Sequence, residues 1–145
     1  MLFGIRVDWA TWHPRMLAVL RIMVALLYLQ HGLTKLIGFP GTPPPGFTLA
    51  SIYGVACAIE VIGSLLLLAG LFTREAAFIM SGEMAVAYFM MRPSRSFFPA
   101  VSGGTLEVLY CFVFLYIVFA GSGAWALDNQ RAATRPLGDA ELARR

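Results

Sequence analysis

Six ionisable side chains sit where the surrounding sequence is almost wholly apolar: Arg21, His31, Lys35, Glu60, Glu83 and Glu107. An ionised group in the middle of a bilayer costs roughly 2.5–3.5 kcal/mol on insertion scales, so such groups persist when they pair or when they do chemistry. Three are basic and three acidic, as a paired interior requires. At about 100° per residue, Arg21, Tyr28, His31 and Lys35 fall within an arc of about 80°, so they share one helix face. A histidine beside Gln30, with carboxylates at similar depth, can donate to a carbonyl oxygen and exchange protons. Two readings stand side by side. The set fixes helix order by buried pairing, or it lines a polar cavity that holds a quinone, a headgroup or a moving proton.

The elements that carry these groups follow from composition. Of 145 residues, 59% are hydrophobic and 13% charged, with a mean hydropathy of +0.73. Soluble domains run at roughly 45–50% apolar and about 25% charged. A chain of this size cannot bury the excess in water, because small domains hide a smaller share of their surface. Soluble enzymes, disordered tails and disulfide-stapled secreted domains are excluded. Apolar runs near the ~20 residues needed to cross a bilayer cover about 16–38, 50–72, 75–91 and 105–125. The fold class expected is all-α, an integral membrane four-helix bundle. The proline-rich stretch from Phe39 to Gly46 is a loop, Thr73-Arg74-Glu75 a tight turn, and Arg92 to Gly104 the third connection. Residues 1–15 read as an interfacial segment around Trp9 and Trp12 rather than a cleaved leader, 16–128 as the membrane domain, and 129–145 as a basic tail.

Orientation follows from the basic residues. With both termini cytoplasmic, Arg6, Arg15, Arg74, Arg131, Arg135, Arg144 and Arg145 lie inside, against Arg92 and Arg95 outside and Lys35 near the outer end of the first span. Trp9, Trp12 and Trp125 then form an aromatic belt at the cytoplasmic interface. The basic residues make no stripe interleaved with aromatics, so nucleic acid is not an expected partner. Cys57 and Cys111 form no Cys-x-x-Cys or Cys/His cluster, so no metal site is expected, and inert packing outweighs a redox pair.

Depth sharpens the pairing. At about 1.5 Å per residue, His31, Glu60 and Glu83 lie roughly 10–15 Å below the outer ends of their spans, and Lys35 and Glu107 roughly 5 Å. This predicts one cluster of His31, Glu60 and Glu83, a Lys35–Glu107 contact, and Arg21 either paired with Glu75 or snorkelling to the cytoplasmic surface. Ala77, Ser81 and Ala85, four residues apart, suit close helix packing, as do Gly63 and Gly70.

The residues so assembled resemble the DoxX family of small four-helix bacterial membrane proteins. The resemblance is carried by Leu20-Arg21-Ile22 with His31-Gly32-Leu33-Thr34-Lys35-Leu36, by Glu60 with Gly63 and the run from Leu65 to Arg74, and by Gly82-Glu83-Met84-Ala85-Val86-Ala87-Tyr88-Phe89. Phe97-Phe98-Pro99, Gly103-Gly104 and the closing Gly121 to Asp128 extend it over about residues 16–130. Relatives often carry an acid directly after the glycine pair, where this chain has Thr105 and places Glu107 two residues later. That is about 200° of helix, so Glu107 should face away from the usual position, with Thr105 offering a neutral hydrogen bond instead. Thr105 and Glu107 therefore stand behind Arg21, Gln30, His31, Lys35, Glu60 and Glu83 as site candidates.

The resemblance implies a membrane subunit of a quinone-linked oxidoreductase system in the bacterial inner membrane. The chain carries no haem-type histidine pair and no dinucleotide fingerprint, so the expectation is no covalently bound cofactor. In such a system the resemblance implies that this chain holds the quinone while a partner subunit brings electrons. The alternative is a non-catalytic accessory or assembly subunit of a larger energy-transducing complex; a homo-oligomer, or a carrier of a small solute or lipid, ranks below these.

Overall fold

The computed structural model describes residues 8–91 and 96–133, and every described element is helical. In chain order they are α1 (Trp9–Ile37), α2 (Ile52–Ala69), α3 (Thr73–Met91), the short α4 (Pro99–Ser102), α5 (Thr105–Ala120) and α6 (Leu127–Ala133). A helix satisfies its own backbone hydrogen bonds, which matters most where no water is at hand. α1 and α2 are long and apolar enough to cross a membrane, and α5 is apolar over 16 residues. Arg6, Arg92, Arg95, Arg135, Arg144 and Arg145, which weigh in the orientation argument, lie outside the described residues.

Helix bounds differ from expectation at three places. α1 starts at Trp9 and carries Pro14 within it, so much of the expected interfacial segment is helix. Thr73-Arg74-Glu75, expected as a turn, is the first turn of α3; the reversal is made by Gly70 at φ 65° and Phe72 at φ 48°. α5 stops at Ala120 rather than near 125, because Gly121 at φ 89° and Gly123 at φ 68° turn the chain back. A Cβ at Gly123 would come 2.8 Å from the Pro14 carbonyl oxygen, and the Ala124 N–H donates to that same oxygen at 2.8 Å. The returning segment is thus pinned to α1.

The helices pack in sequence, α1 on α2, α2 on α3, and α3 most extensively on α5. Small residues set these approaches. Ala77 is fully buried, and the Ser81 hydroxyl donates to the Cys111 carbonyl at 2.9 Å, so Ser81 joins α3 to α5 within the chain. A Cβ at Gly63 would lie 2.6 Å from Met80 Sδ, where α2 meets α3. One at Gly32 would lie 2.6 Å from Val61 Cγ2, where α1 meets α2. α1 and α5 are joined differently, through large aromatic side chains. Tyr28 makes edge-on contacts with Tyr110 at 5.1 Å and Phe114 at 4.9 Å between centroids. Such contacts hold two helices together while keeping their backbones apart. Both cysteines are free: Cys57 donates to the Gly32 carbonyl at 3.4 Å, and Cys111 neighbours Ser81.

Outside the packed seams, Met23, Leu26, Leu27, Ile62, Leu65, Phe78, Phe89, Phe112 and Phe119 are exposed. A soluble monomer seldom shows an apolar surface this continuous, and hydrocarbon is the solvent that accepts it.

The end of the molecule around the 121–126 turn is closed by Asp128. Its carboxylate accepts from the N–H groups of Phe72 and Thr73, both at 2.9 Å, and its own N–H donates to the Gly70 carbonyl. It therefore caps the positive end of α3 from a different element. Partial burial pushes its pKa up, but the Thr73 and Phe72 hydrogen bonds and the nearby Arg131 charge outweigh that and hold it below the ordinary carboxylate value. A depressed folded pKa gives stability that is present above the unfolded value and lost as pH falls through the folded one. Melting followed from neutral into acidic buffer should show that loss. Asp128→Asn should cost about 1 kcal/mol at neutral pH and remove this part of the acid dependence.

Candidate functional site

Because aromatic side chains hold α1 off α5, a cavity of about 750 Å³ opens between the helices near the loop that joins α1 to α2. α1 contributes Tyr28, His31 and Lys35 at i, i+3 and i+7, one face of the helix as its periodicity requires. α2 contributes Glu60, α3 Glu83, and α5 Glu107 and Tyr110. The rest of the wall is mainly apolar, with Ile52, Val55, Ile59, Ile79, Met84, Val86 and Leu106 among its residues. The shape is that of small-molecule sites, a largely hydrophobic hollow of about 300–1,000 Å³ with a few convergent polar groups.

The polar groups are engaged in a definite order. Lys35 Nζ donates to Glu60 Oε1 at 2.6 Å, in an ion pair whose lysine side chain is 21% exposed and whose glutamate is 3% exposed. Glu60 Oε2 is buried and finds no hydrogen-bond partner among the described residues. The Tyr28 hydroxyl donates to Glu83 Oε2 at 2.5 Å. His31 Nδ1 lies 3.2 Å from the Leu27 carbonyl, and its ring leans edge-on against Tyr110, 5.9 Å between centroids. Gly32 makes the ion pair possible: a side chain there would press on Glu60 Cβ at 3.1 Å and drive α1 from α2.

His31, Lys35, Glu60, Glu83 and Glu107 therefore meet in one cavity, but not in the expected pairs. Lys35 takes Glu60 rather than Glu107. His31 turns to its own backbone and to Tyr110 instead of bonding to the two acids. The reason is reach: a lysine stem can run back along α1 to an acid deeper than its own Cα, which depth counted from helix ends ignores. Gln30 is exposed and off the cavity wall, one residue round from His31 and so about 100° away. Thr105 is exposed at the first position of α5 and also off the wall, whereas Glu107 is on it.

Arg21 neither pairs with Glu75 nor snorkels. It is fully buried, about 15 Å along α1 from His31. Its guanidinium donates to the carbonyls of Leu67 and Leu68 at the end of α2, and to those of Ser122, Ala124 and Trp125 in the turn after α5. Five carbonyl dipoles, two from the negative end of a helix, take its hydrogen bonds, and the Asp128 carboxylate acts on its charge from the same end of the molecule. It belongs to the architecture and not to the cavity. Tyr28 and Tyr110 are the site residues that acid and base counting passes over. The signal for Tyr28 was available, since it lies on the same stripe as His31 and Lys35.

A second, more polar hollow of about 670 Å³ lies at the opposite end, around Arg74, Glu75, Asp128 and Arg131, where acids and bases offset one another. Among the described residues no group of His, Cys, Asp and Glu is placed to hold a metal ion.

Comparison with known proteins brings three findings. The model of the DoxX family matches residues 16–93, the stretch that carries His31, Lys35, Glu60 and Glu83. Over 127 residues the chain is 46% identical to an uncharacterized protein of Haemophilus influenzae, a match covering 82% of this chain and 92% of that relative. No solved structure matches the chain.

Proposed function

The chain belongs to the DoxX family, a family of membrane proteins, and from that premise we propose that it is the membrane subunit of a quinone-linked oxidoreductase system. In this reading α1, α2, α3 and α5 form a four-helix bundle through the bacterial inner membrane. Both termini face the cytoplasm, since the arginines of the terminal segments and Arg74 in the first turn of α3 then lie on that side.

The observation that supports it is the cavity itself: apolar walls leading to a cluster of proton-bearing groups on Tyr28, His31, Lys35 and Glu83. A quinone is an apolar ring with two polar oxygens, and the residues present fit it. Bound there, it would supply two-electron, two-proton redox chemistry. The chain's own part is to hold, orient and protonate. Glu60 anchors Lys35 Nζ, which keeps further N–H groups for a polar atom of the ligand. The Tyr28–Glu83 hydrogen bond holds a proton at the cavity wall, and the Ile and Met side chains keep water from it.

The test is photo-crosslinking of the purified full-length chain with an azido-benzoquinone, together with co-purification in mild detergent. Labelling of α1 and α2 peptides, displaced by unlabelled quinone, and a co-purifying redox subunit are the expected results. Turnover of that complex should fall at least tenfold in Glu83→Gln, with assembly intact. If labelling is not displaced, and Glu83→Gln weakens assembly while sparing turnover, the chain is instead an accessory subunit whose buried charges order its helices.

A further inference from the structure

The antiparallel helices α2 and α3 touch at one end and part at the other. Next to the turn that joins them, a Cβ at Gly63 would lie 2.6 Å from Met80 Sδ, so nothing fits between the helices there. Counting away from that contact in steps of the helix repeat brings Ile59, Ala56 and Ile52 opposite Glu83, Ala87 and Met90. All six line the cavity instead of closing on one another. Each arm is held by a different neighbour. Cys57 Sγ donates to the Gly32 carbonyl at 3.4 Å and ties α2 to α1, whereas the Ser81 hydroxyl ties α3 to the Cys111 carbonyl of α5. A gap between α2 and α3 results, on the side away from their turn.

The lips of the gap are apolar and face outward. Ile52 and Val55 on α2, with Val86 and Met90 on α3, line the cavity and are each more than half exposed. Side chains this exposed do not lie inside an enclosed hollow, so these four mark a mouth. With the helices in a membrane, that mouth opens on hydrocarbon and not on water. The accessible polar groups stand farther in. His31 and Lys35 belong to α1, which with α5 makes the wall across from the gap, and Glu83 lies two turns below Met90. A ligand that fills both regions has one polar end and one apolar end. We propose that the cavity is entered sideways through the gap between α2 and α3, and that its ligand carries an aliphatic chain that stays in this gap. This rests on the quinone reading above and adds the chain to it: the ligands are chain-bearing quinones of the bilayer, not small water-soluble ones. The ring passes between Val55 and Val86 to reach His31 and Lys35. The chain never leaves apolar surroundings, so binding exposes none of it to water.

The experiment uses the purified full-length chain in lipid nanodiscs and two photoprobes. One is a decyl-benzoquinone with a diazirine in the middle of its chain, and the other is an azido-benzoquinone that reports on the ring. Chain labelling that unlabelled decyl-benzoquinone displaces should fall on α2 residues 52–59 and α3 residues 83–90. V86W narrows the mouth from an exposed position. It should weaken decyl-benzoquinone, referred to its concentration in the lipid, about tenfold, as overfilling a packed site does, and leave chainless benzoquinone within about twofold. Displaceable chain labelling confined to α1, α5 or the loop between α1 and α2 overturns the inference, and so does an equal response of the two ligands to V86W. In both cases displacement of the ring probe leaves the quinone reading standing. Ring labelling that no quinone displaces overturns both. M90W makes the same comparison from the neighbouring turn if V86W does not fold.

Discussion

Arg21→Met is expected to lower the stability of the chain by about 3–5 kcal/mol, the largest effect of any single substitution considered for this protein. The side chain is fully buried and donates to five carbonyls, on Leu67, Leu68, Ser122, Ala124 and Trp125. Methionine fills a similar volume but donates nothing, and each buried carbonyl left unmet costs about 1–3 kcal/mol. Some of these groups have a second donor: the Leu67 carbonyl also accepts from the Gly70 N–H, so the cost falls mainly on the turn after α5. Stabilities of about 5–15 kcal/mol leave little after such a loss. Arg21→Lys should not rescue it, because one ammonium cannot span both groups of carbonyls as the planar guanidinium does. Gly70 enforces the geometry from the other side, since a Cβ there would come 2.9 Å from Arg21 Nη1 and 2.6 Å from Ala126 Cβ. The check is the unfolding transition in mild detergent, read by circular dichroism. An Arg21→Met midpoint within a degree or two of the wild type would show that the carbonyls find other partners.

Lys35 and Glu60 should respond unequally although they share one ion pair. Lys35→Met leaves a carboxylate that is 3% exposed with no counter-charge, and such an orphan costs about 3 kcal/mol or more. Glu60→Gln leaves a lysine that is 21% exposed and can turn its ammonium toward water, for about 1 kcal/mol. The double variant Lys35→Met with Glu60→Gln should be more stable than Lys35→Met alone, because removing the second charge removes the penalty. The expected coupling is about 2 kcal/mol, measurable as a double-mutant cycle on the same unfolding transition. Equal single costs that simply add would mean that the two charges are solvated separately.

Most of the helix positions were legible because apolar runs, glycine stops and proline-rich breaks are local properties of the chain. The expected second span encloses α2, and the expected third, 75–91, lies within α3 (Thr73–Met91). The end of α5 was not legible, since the small residues Gly121 to Ala124 are ones a span tolerates and Trp125 looks like its interfacial end. Only the contact of Gly123 with Pro14, and the carbonyls turned toward Arg21, explain why the chain leaves the helix at Gly121. Tyr28, His31 and Lys35 could be placed on one face by arithmetic, and that face does line the cavity. Gln30, adjacent in sequence, could be removed from the site by the same arithmetic.

The amino-acid sequence by itself determined the solvent, the helices and the face of α1 that carries charge. Composition and the 3.6-residue repeat depend on nothing beyond the local chain. The choice of partners was decided by tertiary structure alone. Lys35 took Glu60 and left Glu107, Tyr28 took Glu83, and Arg21 gave its hydrogen bonds to carbonyls. Each depends on how far every helix is rotated and slid against its neighbours. Those quantities are set by where glycine permits close approach, as at Gly32 and Gly63, and by where aromatic rings forbid it, as between Tyr28 and Phe114.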